Sequence, residues 1–195
     1  QMSTVKSKKL QVGTDATATN NFTIYQPSTP DGTLRIGVGN ADSPTEVGRF
    51  NSNGYVPTNA PAFSAYPSAV QTLSSGTWTT LAFNTEVFDT NSNYNTSTYA
   101  FTPTVAGYYN FNASVRSAGA TTRFYTKFLK NGATSYYGND FNFSASTLNS
   151  NYSALIYMNG STDSVVAQAF MQGGGGLATG ASAVVFYSAF LARAA

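Results

Sequence analysis

Residues 184–191, near the C-terminus, form a predicted β-strand that is apolar on both faces. Successive side chains of a strand point to opposite faces, so a half-exposed strand alternates apolar and polar residues. Here one face carries Val184, Phe186, Ser188 and Phe190, and the other carries Val185, Tyr187, Ala189 and Leu191. A strand covered on both faces in an antiparallel protein needs a second cover beyond its own core, and another copy of the chain is the simplest one. We therefore expect an oligomer whose function lies in assembly and binding before catalysis.

The composition favours strands and excludes several classes of function. Only 9% of the residues are charged, against roughly 25% in ordinary soluble domains, so Thr, Ser, Asn, Gly and Tyr must build much of the surface. The 14 Phe and 13 Tyr residues favour strands over helices. A net charge of +2 argues against a nucleic-acid partner. No run approaches the ~20 apolar residues of a membrane helix, so we expect no membrane insertion.

The chain lacks the residues on which most nucleophilic enzymes depend. It contains no Cys and no His, so disulfides, thiolate chemistry and the usual nucleophile–base dyads are excluded. Glu86 and Asp89 would lie on opposite faces of an extended segment, whereas a glycosidase needs two carboxylates flanking one cleft. We expect a protein that is not an enzyme and that has no cofactor.

The sequence divides into two parts. Residues 1–60 contain short strand candidates separated by turn sequences such as Asn51-Ser52-Asn53-Gly54. About five such strands give too little core to stand alone, and pairing with other subunits or with a host surface would supply the rest. A stiff, proline-bounded linker ends at Pro61. We interpret residues 1–60 as a small β module for attachment.

Residues 62–195 form a regular series of strand candidates without a convincing helix. Asn131-Gly132 is the strongest hairpin signal in the chain. Residues 109–115 alternate an apolar odd-numbered face with a polar even-numbered face. Roughly ten strands without helices predict a sandwich or barrel. The candidates are 62–66, 69–73, 79–83, 99–102, 107–115, 123–130, 133–137, 153–158, 164–171 and 183–191.

The order of short motifs in residues 62–193 resembles that of the globular head of complement's first component and of the tumour-necrosis-factor-like jelly rolls. The motifs are Ala62-Phe63-Ser64-Ala65, Phe83-Asn84-Thr85-Glu86-Val87-Phe88-Asp89, Tyr99-Ala100-Phe101-Thr102-Pro103, Ala106-Gly107-Tyr108-Tyr109-Asn110-Phe111, Phe128-Leu129-Lys130-Asn131-Gly132, Ser153-Ala154-Leu155-Ile156-Tyr157-Met158 with Asp163-Ser164-Val165-Val166, and the closing residues 186–191.

This resemblance implies an all-β, ten-stranded jelly-roll sandwich that assembles as a homotrimer with its C-terminal strand near the threefold axis. Family members that hold calcium do so with clustered acidic residues, whereas the acids of this half of the chain are scattered, so no metal is expected. The expected trimer interface comprises Tyr109, Phe111, Val184, Phe186, Tyr187 and Phe190.

Residues 8–56 look like the N-terminal shaft or attachment modules of tailed-phage fibre proteins. Lys6, Lys8 and Lys9 form a charge cluster that is either a solvated terminus or an arm docking on an acidic capsid or tail surface. The motifs that carry the resemblance are Lys8-Lys9-Leu10-Gln11-Val12-Gly13, Asp31-Gly32-Thr33-Leu34-Arg35-Ile36 and Phe50-Asn51-Ser52-Asn53-Gly54-Tyr55-Val56.

Several aromatic residues lie in or near predicted loops, where their rings are able to stack on sugars. They are Trp78, Tyr94, Tyr136 and Tyr137. Ordinary packing is the competing interpretation in a chain so rich in aromatics. The glycine run at residues 173–176 has no following Lys-Ser/Thr, so a flexible hairpin loop is favoured over a phosphate cradle.

The two resemblances together predict a non-enzymatic virion surface protein of a tailed bacteriophage. The favoured role is a homotrimeric capsid decoration (cement) or head-fibre protein, attached through its N-terminal segment to the major capsid protein or a tail component. A tail fibre usually needs a longer shaft than 60 residues supply. The alternatives are a tail-fibre receptor-binding tip that recognises host surface glycans, and a soluble bacterial trimeric lectin-like protein.

Overall fold

The computed structural model describes residues 8–57, 60–173, 175–177 and 184–195, so Lys6 lies outside the described residues. The chain forms two compact units, residues 1–59 and residues 60–195. Within the described ranges, every regular element is a strand except one short 3-10 helix, Ala18–Asn20, in the first unit. The prediction of an all-β chain is therefore confirmed.

The first unit is a five-stranded antiparallel sheet in which each strand pairs with the next along the chain. The last hairpin closes through Ser52 and Asn53, and the Asn53 backbone N–H donates to Asn51 Oδ1 at 2.8 Å. Gly54 follows with a φ of 113°, which glycine adopts without the strain that a Cβ would cause. The strands β1 to β5 are Lys9–Val12, Phe22–Tyr25, Leu34–Val38, Thr45–Asn51 and Gly54–Pro57.

The second unit contains thirteen strand segments, β6 to β18, in its described residues. They are Ala62–Tyr66, Gln71–Thr72, Thr77–Thr80, Thr85–Asp89, Tyr94–Asn95, Ala100–Phe101, Ala106–Ala118, Thr121–Lys130, Thr134–Phe141, Asn149–Asn159, Val165–Gly173, Gly176–Leu177 and Phe186–Ala194.

These strands form two antiparallel sheets. In the first, here called the β12 sheet, the strand order is β7-β17-β12-β18-β6-β9, and β15 also pairs with β12. In the second, the β13 sheet, the order is β10-β11-β16-β13-β14. Strand β8 runs beside β16, where Gly76 N donates to Met171 O at 2.7 Å and Leu81 N donates to Ala167 O at 2.9 Å.

The core between the two sheets is built largely from aromatic rings. Phe63 of β6 stacks on Tyr94 of β10 and on Phe101 of β11, with ring centroids 4.4 and 4.6 Å apart. The Tyr187 hydroxyl donates to the Val165 carbonyl oxygen at 3.0 Å, so the one polar group of this buried ring has a partner. Rings from both sheets therefore interdigitate, which is how aligned sandwiches fill the space between their layers.

Strand β12 shows the alternation that the sequence predicts. Its odd-numbered residues from Tyr109 to Val115 are buried in the core, and its even-numbered residues are partly or largely exposed. Within residues 109–115 the side chain therefore points inward or outward according to its position in the pleat. The prediction of one apolar and one polar face is confirmed.

The short strands depart most from the sequence-based boundaries. Thr85–Asp89 and Tyr94–Asn95 form strands that the candidates did not include. The glycine run is not simply a flexible loop, because Gly176–Leu177 forms a buried strand between β12 and β7. A Cβ on Gly176 would lie 2.4 Å from the Gln71 carbonyl oxygen, so glycine is required there by close backbone approach.

The Asn131-Gly132 hairpin forms as predicted and is tied to the neighbouring turn. Asn131 and Gly132 both have positive φ, 52° and 69°, as a tight β-turn of this type demands. Asn131 Nδ2 donates to Asp163 Oδ1 at 2.7 Å, and Lys130 forms an ion pair with Asp163 at 2.7 Å. Burial alone would raise the pKa of the Asp163 carboxyl, but the hydrogen bonds from Lys130 and Asn131 hold that pKa below its usual value.

None of the helices in the described ranges has the length and apolar character needed to cross a membrane.

Candidate functional site

The C-terminal strand turns one of its two apolar faces inward. Val185, Tyr187 and Ala189 are buried in the core, whereas Val184 and Phe190 remain 46% and 48% exposed in a single chain. The ambiguity of the sequence is thereby resolved, because the β13 sheet covers only one side of β18. The outer side carries Val184, Phe186 and Phe190, and no other element that the structure describes in this unit blocks them there from the predicted trimer contact.

Three of the predicted interface residues are in the wrong place for that role. Tyr109, Phe111 and Tyr187 are completely buried within their own sandwich. The Tyr109 hydroxyl donates to the Val105 carbonyl oxygen, and burial raises the pKa of Tyr109 to about 12. These side chains hold the two sheets of one subunit together and cannot contact a neighbour.

The register of the β12 sheet defines one continuous outward surface, which we call the open face. Ser64, Ser188, Asn112 and Ser153 pair in one row across β6, β18, β12 and β15. Residues that pair directly share a face of the sheet. The open face comprises Ser64, Phe88, Tyr108, Asn110, Asn112, Ser114, Ser153, Leu155, Tyr157, Phe186, Ser188 and Phe190.

The centre of the open face combines exposed apolar side chains with small polar ones and carries no charge. Two arginines lie at its ends, where Arg193 pairs with Tyr108 and Arg116 pairs with Asn149. Leu155 is 59% exposed, and Phe88, Tyr108 and Tyr157 are each more than two-fifths exposed. The centres of protein–protein interfaces are likewise depleted in charge and enriched in aromatic residues. An exposed surface of this composition is typical of an interaction site.

Asn110 lies in the middle of the open face, between Phe190 and Leu155 on the neighbouring strands. Its side-chain oxygen is buried and has no hydrogen-bond partner within the described part of the chain. A buried acceptor without a donor costs about 1–3 kcal/mol. A donor supplied from outside the subunit would remove that cost. No sequence pattern predicts this feature, since Asn110 is one of many asparagines.

The outer surface of the β13 sheet carries a second feature, an aromatic band that crosses four adjacent strands. Trp78 of β8 lies 5.8 Å from Phe170 of β16 and 5.2 Å from Tyr125 of β13, between ring centroids. Tyr125 stacks on Tyr137 of β14 at 5.1 Å with an interplanar angle of 22°. We call Trp78, Tyr125, Tyr137 and Phe170 the aromatic band.

The candidate ligand aromatics, predicted to lie in or near loops, lie on strands. Trp78, Tyr136 and Tyr137 all belong to strands, and Tyr94 is buried in the core. Tyr136 and Tyr137 are neighbours that point to opposite faces, so Tyr136 packs against the core while Tyr137 is 59% exposed. Register therefore separates two residues that the sequence treated together.

Two cations lie against the aromatic band. The Lys127 ammonium is 4.3 Å from the centroid of Trp78 and donates to Ser135 Oγ at 3.2 Å, and the residue is only 8% exposed. The Arg123 guanidinium forms two hydrogen bonds with the Asp140 carboxylate, at 2.9 and 2.7 Å. This pairing lowers the pKa of Asp140. Cation–π contact accounts for the burial of Lys127 beside the Trp78 ring.

Two of the predicted attachment residues, Lys8 and Lys9, lie just before the first strand of the first unit and at its start. Lys8 and Lys9 are exposed, and the Lys9 ammonium donates to the Ala41 carbonyl oxygen at 2.5 Å.

Across the described residues, no group of three or more His, Cys, Asp or Glu side chains is arranged to hold a metal ion. Asp89 has a structural task, since its carboxylate accepts the Tyr94 backbone N–H at 2.7 Å.

The sandwich of the second unit is a jelly roll of the C1q and tumour-necrosis-factor class. The globular domain of zebrafish complement 1qA superposes with a TM-score of 0.52 at 23% identity, over 70% of this chain and all of that one. Murine APRIL gives 0.53 at 9% identity, over 68% of this chain and 99% of that one. Eiger TNF from S. frugiperda gives 0.51 at 9% identity, over 70% and 93%. These likenesses establish the fold.

The sequence profile of the C1q domain matches residues 62–192. The chain belongs to the C1q-domain family. No curated protein sequence matches it significantly.

Proposed function

We propose that this chain is a non-enzymatic structural protein of a tailed-bacteriophage virion surface, a homotrimeric capsid decoration (cement) or head-fibre protein. The N-terminal unit attaches to the major capsid protein or a tail component, and the C1q-domain head is displayed outward. The single observation that carries the assembly claim is the open face, a partly aromatic sheet surface that has an uncharged centre and is left uncovered by its own chain.

The geometry of the open face supports contact between copies of the same chain. Phe186 and Phe190 lie on the outer side of β18, with the orphaned Asn110 oxygen beside them. A surface with few charges pays little desolvation cost when it is buried. Three heads packed around β18 would bury these rings and offer Asn110 a donor from a neighbour.

Support for the virion assignment comes from residues 8–56, whose motifs resemble phage-fibre attachment modules. The first unit is a compact sheet of five short strands and offers little reach. A short attachment module suits a protein bound close to a capsid surface better than one at the end of a long tail fibre.

Quantifying the protein in separated phage heads and tails tests the proposed role. We expect many copies per particle and the same amount on tail-less heads. The native mass of the purified protein is measured as well, and we expect the mass of a trimer. Presence in isolated tails alone contradicts a capsid role, and a soluble monomer contradicts the assembly claim.

A second candidate function, recognition of host surface glycans by a tail-fibre tip, is favoured by the aromatic band. Exposed rings provide faces on which a sugar ring is able to stack, and polar groups beside them provide orientation. Tyr137 is the most exposed of the four rings of the band, so a sugar ring has the easiest access to it. Its position on a rigid strand suits a preorganised site.

Replacing Tyr137 by alanine tests this candidate. If the band binds glycans, saturable retention of the trimer on host cells falls at least about tenfold, the loss expected when about 1.4 kcal/mol of binding is removed. Phe143→Ala is the matched control, because Phe143 is 56% exposed and lies outside the band. A wild-type trimer that host cells do not retain, or equal retention of both variants, excludes this role.

A further inference from the structure

The N-terminal sheet leaves almost an entire apolar face uncovered. Direct pairing joins Leu10 to Ile24 and Val12 to Phe22, so these side chains share one face. Pairing continues across β3, β4 and β5 to the far edge of the sheet. We call this surface the apolar N-face; its large side chains, each 37% to 59% exposed, are Leu10, Val12, Phe22, Ile24, Leu34, Phe50 and Tyr55.

The opposite face of the same sheet is polar and satisfies its own charges. Glu46 forms ion pairs with Arg35 at 3.1 Å and with Arg49 at 2.6 Å. The buried Thr23 hydroxyl donates to the Gly39 carbonyl oxygen at 3.0 Å. This face is therefore suited to water. The contrast between the two faces shows that the apolar N-face is the side built to be covered.

A lone sheet with an uncovered apolar face is not independently stable. Sheets need a packed layer on at least one side, and contiguous apolar surfaces of this extent mark interaction sites. Tyr55 reaches across Gly48, where a Cβ would lie 2.6 Å or less from the ring's Cε2 and hydroxyl. This contact covers the end of the sheet near β5 and leaves the strands from β1 to β4 without a second layer of their own.

We propose that the apolar N-face packs against the same face of two further copies of this chain, so that three N-terminal sheets enclose a second apolar core. This inference rests on the proposed trimer of heads. Strand β5 ends at Pro57 and the second unit begins at residue 60, and a residue spans at most about 3.6 Å. Three joined heads would therefore hold three sheets at high effective concentration.

The chemistry of the face favours copies of this chain over a charged partner. None of the large side chains that define it is ionisable except the Tyr55 phenol. Lys8 lies at one edge beside Leu10 and Ile24, so the face offers little charge for a capsid surface to complement. Identical apolar faces around a rotation axis are complementary without further design. The polar face, which includes Lys9, then remains outside, where it is available for attachment.

Protection of an introduced thiol in the full-length chain tests the inference. Because the chain has no native cysteine, the introduced thiol is the only one that reacts. Leu34→Cys puts a thiol on the apolar N-face, and Gln11→Cys puts one on the exposed polar face as the control. In the purified trimer we expect a maleimide reagent to modify Leu34→Cys at least about tenfold more slowly, since reaction requires local opening. Adding Phe190→Asp, to separate the heads, is expected to restore fast reaction.

Each other outcome overturns the inference. Equal rates at both positions in a chain that still has trimer mass leave the proposed head trimer intact but refute the enclosed N-terminal core. Protection that persists in the monomeric Phe190→Asp background means that the chain covers its own face. Protection found only on phage particles means that the capsid covers it. Phe190→Ser replaces the aspartate variant if that variant precipitates.

Discussion

Tyr187→Ala is expected to lower the free energy of unfolding of the head by about 3–5 kcal/mol, as large aromatic truncations in packed cores do. The ring lies between both sheets, with Phe63, Phe128 and Phe111 at centroid distances of 4.8, 5.8 and 6.3 Å. Its removal leaves a cavity lined by rigid rings that cannot collapse into it. The measurement is denaturant unfolding at one fixed protein concentration, because assembly makes apparent stability depend on concentration.

Two companion variants separate the sources of this loss. Tyr187→Phe keeps the ring but removes the hydrogen bond to the Val165 carbonyl, so a loss of about 1 kcal/mol is expected. Tyr137→Ala lies at an exposed position, so it should lower the free energy of unfolding far less than Tyr187→Ala does. A Tyr187→Ala protein as stable as the wild type would refute the view that this ring is central to the core.

Phe190→Asp is expected to convert the proposed trimer into monomers and so to reduce the native mass to one third. Phe190 is 48% exposed in the single chain, so an aspartate there is tolerated by the isolated head. In a trimer it would bring three carboxylates into a dry interface, and each unpaired buried charge costs several kcal/mol. Native mass spectrometry or sedimentation at micromolar concentration gives the answer directly.

The matched control for this variant is Phe143→Asp, at a ring that is 56% exposed and lies outside the open face. It introduces the same charge on the same residue type and should leave the mass unchanged. If Phe190→Asp retains the wild-type mass, β18 does not form the contact between subunits, and the open face has another occupant or none.

Periodicity predicted the alternation of β12 but was insufficient for β18. In β12 the two sets of side chains differ in polarity, so burial of the odd-numbered set from Tyr109 to Val115 follows from sequence. In β18 both sets are apolar, and the inward set is chosen by the rings of the opposite sheet. Periodicity therefore does not predict that Tyr187 faces inward. Tyr109 and Phe111 belong to the apolar set of β12, so their expected place in the trimer interface conflicts with the alternation of their own strand.

The aromatic band was beyond single-sequence reasoning for a different reason. Trp78 and Phe170 are remote in the chain and meet because β8 lies beside β16. The turn between β13 and β14 then sets which of Tyr136 and Tyr137 faces outward. Nothing in the sequence indicates that Lys127 is buried, since a lysine on a strand is usually solvated. The Trp78 ring beside its ammonium is the cause of the burial.

The pleat of β12 divides mutational risk between alternate positions of one strand. Tyr109, Phe111 and Ala113 belong to the core cluster on which folding depends, whereas Asn110 and Asn112 point to the other face and are not part of that cluster. Substitutions at the even positions of β12 are therefore able to change which surface binds there while the core of the subunit stays intact. Recognition and architecture can diverge at separate rates although they occupy consecutive residues.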